Sequence, residues 1–205
     1  MVCRSIQKEP IMKEPTVWIA SDLHLGHKLM TAPTSPEHKI LREVGYEEKF
    51  FEAANACVMP HDILCILGDV AFSNVSYWFT RIKQLNCRKV LLLGNHDKNR
   101  IKWYEKFDFL EIVPFGHSKI FRHELGNILL THIPAFESVL TSYDERFLGL
   151  ARKHNKEFEA SSCILNIHGH CHGKATERHN TFDASLECIN YMPVKIEQII
   201  ERVFK

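Results

Sequence analysis

Val90-Leu91-Leu92-Leu93-Gly94-Asn95-His96-Asp97 passes from an unbroken apolar run directly into an amide, an imidazole and a carboxylate. Four other segments repeat that progression. Val17 to Ala20 leads to Asp22 and His24, and Ile63 to Leu67 leads to Gly68 and Asp69. Ile128 to Leu130 leads to His132, and Cys163 to Ile167 leads to His168, Gly169, His170, Cys171 and His172. Short runs of Ile, Leu and Val without polar alternation mark strands buried on both faces, and α/β sheets bind ligands beyond the carboxyl ends of such strands. The five loops are therefore expected to meet in one site. Asp, Asn and His, without a Gly-rich phosphate loop, are the groups a two-metal hydrolase needs.

The sequence between these runs supplies helices. Glu47 to Val58 carries Phe50, Phe51, Ala54 and Cys57 at helical spacing, and Asn74 can cap a helix running through Trp78, Ile82 and Leu85. After residue 108 the pattern changes to shorter extended pieces: Phe109 to Val113, Ser118 to Phe121, Asn127 to Thr131, Cys163 to Ile167 and Thr181 to Leu186. Helices become scarce there, apart from a charged stretch from Glu145 to Glu159. An α/β half followed by a strand-rich half predicts two packed sheets covered by helices. Residues 1 to 15, with Lys-Glu-Pro twice, read as a flexible N-terminal tail, and residues 16 to 205 as a single domain.

The bulk composition narrows the function classes. With 205 residues and 45% hydrophobic content, one domain can bury a sizeable core. A net charge of +1 gives no global basic field and so disfavours a nucleic-acid coat or membrane-surface protein, while leaving room for a local basic groove. The seven cysteines form no C-x-x-C pair and several lie in apolar runs, which suggests reduced core residues and a cytoplasmic location. The first residues lack the apolar core of a signal peptide, and nowhere do about 18 apolar residues run together to span a membrane.

Each loop admits specific chemistry. Asp22 and His24 stand two apart, so in an extended segment both side chains leave the same face and clasp one ion; Asp after a strand is also a common turn residue. Asp69 has two oxygens and could bridge two ions. Asn95 offers a neutral amide oxygen, adding no negative charge where an anionic substrate binds. His96 beside it is free to donate a proton to a leaving oxygen. Asp97 has two readings, as cap of a helix beginning near Lys98 or as the group that orients His96. His132 precedes Pro134, which ends its strand. His168, His170 and His172 would repel one another if charged and lack partners if buried neutral, and metal binding removes both difficulties. A structural zinc site is the local competitor, but its two ligand pairs are ordinarily separated by a longer loop.

Asp22-x-His24, Gly68-Asp69, Gly94-Asn95-His96-Asp97, His132 and Gly169-His170-x-His172, in that order between residues 18 and 172, resemble the five motifs of the calcineurin-like metallophosphoesterases. The Leu23-His24-Leu25-Gly26-His27 opening, the Thr131-His132-Ile133-Pro134 loop and the segment from His168 to Gly173 are similar to those of small single-domain bacterial and phage members. The resemblance implies an α/β fold, a four-layer α/β/β/α sandwich with two mixed sheets. It implies that Asp22, His24 and His172 hold one metal, that Asn95, His132 and His170 hold a second, that Asp69 bridges them, and that His96 is the proton donor. His27, Asp97, His168 and Arg178 fall outside the shared ligand set and are candidate contacts to the ligands or to substrate. The implied cofactors are two divalent metal ions, Mn²⁺ foremost, with Fe, Ni²⁺ or Zn²⁺ as alternatives. The implied activity is hydrolysis of phosphodiesters or small phosphorylated molecules by hydroxide held at the two metals, with no protein nucleophile. Two alternatives share the fold. One is a nuclease acting on DNA or RNA with Lys28, Arg100, Lys102, Lys174 and Arg178 as a basic rim; the other is a catalytically silent scaffold, against which stands the filling of every ligand position. Substrate choice is expected in the loop from Thr31 to His38 and the stretch from Tyr143 to Ser161.

Overall fold

The apolar runs become strands of two mixed sheets. Val17–Ala20 (β1), Ile63–Ile66 (β2), Arg88–Leu92 (β3) and Glu111–Val113 (β4) pair in parallel, each with its sequence successor. Lys119–His123 (β5) and Gly126–Leu130 (β6) form an antiparallel pair in the second sheet, which Cys163–His168 (β7) and Thr181–Asp183 (β8) extend in parallel. Val194–Lys195 (β9) returns to the first sheet, antiparallel to β1. The sheet orders are β4-β3-β2-β1-β9 and β5-β6-β7-β8. These statements come from a computed structural model that describes residues 14–32, 41–140, 142–174 and 179–205.

Among the described residues, five α-helices cover the sheets: Tyr46–Cys57 (α1), Val75–Gln84 (α2), Ile101–Tyr104 (α3), Leu148–Ala160 (α4) and Ile196–Phe204 (α5). Ile128 and Leu130 of β6, with Leu165 and Ile167 of β7, enter one buried cluster with Ile19, Leu64, Ile66 and Leu91 of the first sheet. Phe50 of α1 and Phe79 and Ile82 of α2 belong to that same cluster. Leu129, one residue out of phase with its β6 neighbours, faces the other way and joins Phe136, Val139, Cys163 and Phe158 of α4 in a second cluster. Each fully buried Leu, Ile or Phe side chain contributes on the order of 1.5–3 kcal/mol by its removal from water.

Several sequence expectations are corrected. The Phe109 to Val113 run yields β4, which pairs with β3 in the first sheet rather than belonging to the strand-rich second half. The carboxyl-terminal helix α5 was not expected, although Ile196, Ile199 and Ile200 stand at helical spacing and are its buried face. Asn74 occupies the N-cap position of α2 but makes no side-chain capping bond, its φ of 49° being left-handed. No helix starts near Lys98; α3 begins at Ile101 with Arg100 at its N-cap. Cys57, Cys65, Cys87, Cys163, Cys171 and Cys188 are free thiols. Most of the expected tail, residues 33–38 of the Thr31 to His38 loop, and Arg178 lie outside the described residues. Among the described residues no helix is long and apolar enough to cross a membrane.

Both sheets send loops to a common edge. Backbone bonds tie these loops together there: Asp22 N–H donates to the Gly68 carbonyl at 3.0 Å, His24 N–H to Asp69 at 2.9 Å, and Gly169 N–H to His132 at 3.1 Å.

Candidate metal centre

The loop backbones are held in unusual conformations at the candidate ligands. Asp22, His24, Asp69, His170 and His172 have φ of 52°, 46°, 50°, 72° and 51°. A left-handed conformation at a non-glycine residue costs on the order of 1–3 kcal/mol and persists only where surrounding structure imposes it. This corrects the extended D-x-H geometry: the Asp22 and His24 side chains converge because both residues are left-handed, not because of strand alternation. Two glycines permit the loops to approach. A Cβ on Gly94 would meet Asp69 Oδ1 at 2.1 Å, and one on Gly169 would meet Ser21 Oγ at 2.0 Å and Asp22 Oδ2 at 2.2 Å.

Two clusters of ligand atoms result. One joins Asp22, His24 and His172; the other joins Asp22, Asp69 and His132; within each, one ligand atom per residue lies within 4.8 Å of the others. Asp22 Oδ1 stands 3.6 Å from His24 Nε2 and 3.6 Å from His172 Nε2. Asp22 belongs to both clusters, and Asp69 Oδ2 of the second stands 3.5 Å from His132 Nε2 and 3.7 Å from His24 Nε2 of the first. Asn95 Oδ1 approaches His132 Nε2 at 2.9 Å. His170 enters through its backbone N–H, which donates to Asp22 Oδ2 at 2.8 Å, and through its ring, 5.4 Å from that of His132.

Divalent cations fit these atoms. Two ligands about 2.1 Å from one ion and roughly 90–110° apart are about 3.0–3.4 Å from each other, close to the separations here. Asp22 Oδ1 and both ring nitrogens of His24 are buried without a hydrogen-bond partner, which is costly unless another group completes them. The ring tautomers are constrained as well. His132 Nδ1 donates to the Leu67 carbonyl at 2.7 Å and His172 Nδ1 to Glu187 Oε1 at 2.6 Å, so each neutral ring presents the Nε2 lone pair to the carboxylates.

Electrostatics point the same way. Burial pushes the Asp69 carboxyl up to about 7 against the pull of His132, and the Asp22 and Asp97 carboxylates add to the rise. Burial also disfavours charge on Asp22, yet His24, His172 and His132 together hold it well below the usual carboxylate range. Burial takes His24 down to about 3, leaving the neutral imidazole that a metal requires. His132 moves upward despite its burial, because Asp69 and Asp22 favour a positive charge at its ring. A buried set of carboxylates and imidazoles thus competes for protons whose place divalent cations can take.

Support for the ligands comes partly from residues absent from the motifs. Glu187, which holds His172, is itself paired with the buried Arg42 at 2.6 Å, and Arg42 also donates to the carbonyls of Leu23 at 2.8 Å and Asp22 at 2.6 Å. Ser21 Oγ donates to Asp22 Oδ2 at 2.6 Å and Ser185 Oγ at 3.3 Å. No sequence signal marks Arg42 or Glu187, since neither lies in an apolar run or beside a ligand.

The remaining expected residues divide. His96 donates its backbone N–H to Asp69 Oδ1 at 2.8 Å, and its side chain, 38% exposed, brings Nε2 to 3.9 Å from Asp69 Oδ2. Burial and the neighbouring His132 lower its pKa. Asp97 neither caps a helix near Lys98 nor orients the His96 ring: its carboxylate accepts from the N–H groups of Asp69, Val70 and Gly94 at 2.7, 3.1 and 2.8 Å. His27 stacks face to face on Phe72 at 3.7 Å between centroids. His168 stays in β7, buried, with Nδ1 2.9 Å from its neighbour's carbonyl at Gly169. Cys171 turns away into the apolar cluster beneath α4. The Tyr143 to Ser161 stretch reaches the centre through Phe147, whose ring packs edge-on to His170 at 4.8 Å.

Comparison with known proteins finds similar chains. The family model for calcineurin-like phosphoesterases matches residues 15–174, which contain every candidate ligand. Among 22 solved chains that match, a crystal structure of a protein of unknown function from Aquifex aeolicus is similar over 92% of this chain and 99% of that one, with a TM-score of 0.72 and 26% identity. No curated protein matches.

Proposed function

The chain belongs to the calcineurin-like phosphoesterase family, and on that premise we propose that it hydrolyses phosphodiesters or small phosphorylated molecules at a centre of two divalent ions. Asp22, His24 and His172 would hold one ion and Asn95, His132 and His170 the other, with Asp69 shared. The carrying observation is the position of Asp69 Oδ2 between His24 Nε2 at 3.7 Å and His132 Nε2 at 3.5 Å. Bound there, two ions neutralise phosphoryl oxygens and lower the pKa of a water from about 15.7 toward ~7.

The chain's own groups divide the remaining work. Arg42 and Glu187 fix the His172 ring, and Leu67 fixes His132, so that both imidazoles are oriented before metal arrives. Asn95 adds a ligand oxygen without charge, which limits repulsion of an anionic phosphoryl group. His96 is anchored by its backbone and open to solvent on its ring, so it reaches substrate without giving up the centre. It hydrogen-bonds or protonates the leaving oxygen, and an anionic substrate beside it raises its proton affinity. Among the described residues of the five ligand loops no Ser, Thr or Cys sits in a nucleophile setting, which supports attack by one direct displacement.

Mn²⁺ is the first metal to test, with Fe, Ni²⁺ and Zn²⁺ alongside, since carboxylate, amide and imidazole suit all four. The free thiols support a cytoplasmic location. Metal-reconstituted protein should be assayed against mono- and diester model substrates, cyclic nucleotides and single- and double-stranded nucleic acids. Metal-dependent turnover with inversion at a chiral phosphorus is the expected result. Turnover that survives complete chelation, or net retention, rules out the proposed chemistry.

A further inference from the structure

A groove leads away from the metal centre on the His96 side. Its inner part is a cavity of about 220 Å³ whose walls include Phe72, His96, Lys98 and Asn99. Val75 and Asn99 also line a wider, open hollow of about 730 Å³, where Asn74 and Tyr77 contribute further walls. The two hollows therefore adjoin, and together they are of the size that small-ligand sites occupy.

The lining combines aromatic rings and amides with Lys98 and, deeper in the wall, Asp97, whose carboxylate is engaged by loop N–H groups. Phe72 is 38% exposed; His27 backs its ring with planes within 1°, and the His96 and His24 rings lie 4.7 and 5.2 Å from it. That backing presets the ring. Tyr77, 55% exposed, offers a second aromatic surface further out. Asn74 and Asn99 supply amides that both donate and accept, and Lys98 supplies a cation at the inner end. Flat aromatic surfaces interleaved with amides match a planar heteroaromatic ring bearing hydrogen-bonding edges, and sequence-tolerant base stacking uses the same elements.

We propose that this groove is the leaving-group subsite and that it receives a nucleoside. This orientation rests on the phosphoesterase reading. His96, the group assigned to the leaving oxygen, forms part of the cavity wall, so a moiety in the groove is the departing alcohol of a phosphodiester. Its base stacks on Phe72, its polar edge meets Asn99, and Lys98 faces anionic atoms near the cleaved bond. Hydrolysis breaks the P–O bond to that alcohol; the oxygen of water joins phosphorus, His96 gives its proton to the departing nucleoside, and the proton released by the water restores His96.

Adenosine is the probe, with ribose as its control, titrated against metal-reconstituted full-length protein by ligand-observed NMR, which reads binding without turnover. Wild type should bind adenosine in the millimolar range and ribose not at all. Phe72→Ala and Asn99→Ala, both at exposed positions, should each weaken adenosine by about tenfold, within the span of base–aromatic stacking. In turnover, Phe72→Ala should raise KM for a dinucleoside monophosphate by about tenfold and change kcat less. Absence of adenosine binding, ribose binding as tightly, or unchanged affinity in both variants overturns the subsite. If wild type cleaves no phosphoester, the proposed function fails, while the adenosine titration still decides the subsite separately.

Discussion

The two halves of the proposed metal centre each bring two histidines, one adding the Asp22 carboxylate and the other the Asn95 amide, and they are supported differently. On the Asp22 side, His172 leans on the Glu187 carboxylate, Glu187 on the Arg42 guanidinium, and Asp22 Oδ2 accepts from Ser21 and Ser185 hydroxyls. On the Asp69 side, His132 leans on the Leu67 carbonyl, Asp69 Oδ1 takes a backbone N–H, and Asp97 gathers three more from the adjoining loops. One half is oriented mostly by side chains, the other mostly by main chain. Side-chain support can be deleted by a single substitution, whereas a carbonyl or amide remains whatever the side chain. The first half should therefore be separable by mutation, and the second should fail only when its loops come apart.

The harshest test removes the group common to both halves. Asp69→Asn should lose one or both ions on metal analysis, with an activity loss beyond the ~10–100-fold typical of residues that merely support ligands. Full metal content and activity in both Asp69→Asn and His170→Ala would break the binuclear assignment. His96 belongs to neither half. Its replacement by Ala should leave both ions bound yet reduce turnover by about 10² to 10⁴, least for p-nitrophenyl esters, whose leaving group needs no proton. An equal, small loss across leaving groups would remove the proton-donor role.

The comparison sharpens with Glu187→Gln. This change weakens the carboxylate–histidine pair and leaves Arg42 without its anionic partner, so metal affinity should fall about 10–100-fold for one ion only. Titration with a spectroscopically visible ion such as Co²⁺ should then separate into one weakened and one unchanged step; two equally weakened steps would mean the halves are not independent. The smallest effect is expected from Asp97→Ala, which leaves three loop N–H groups without their acceptor. Leaving buried donors without an acceptor should cost on the order of 1–3 kcal/mol, seen as a lower denaturant midpoint with an unchanged slope. A midpoint equal to that of wild type would show that the loops hold together without this anchor.

The strands and the residue types of the candidate site were legible along the amino-acid sequence. Runs such as Val17 to Ala20 and Val90 to Leu92 are apolar on both faces, a local property that burial in a sheet demands, and their termination in Asp, Asn and His is equally local. The same local reasoning could have reached α5 through Ile196, Ile199 and Ile200, but failed to separate β4 from the strands of the other sheet, since pairing partners leave no mark in periodicity. Tertiary structure alone decided how the ligands are aimed. Arg42, Glu187 and Asp22 come from distant parts of the chain, and their hydrogen bonds exist only after β1, β7 and the segment beyond β8 have met. The left-handed backbones of Asp22, His24, Asp69, His170 and His172 have the same origin: Asp and His tolerate that conformation better than most side chains, but the packing of loop against loop, through Gly94 and Gly169, selects it here. Asp97 likewise reads as a cap in a linear chain and becomes a clasp once Gly94, Asp69 and Val70 present their N–H groups around it. Residue type and local burial are written along the chain, whereas the direction in which a ligand points depends on groups that only folding brings within hydrogen-bonding distance.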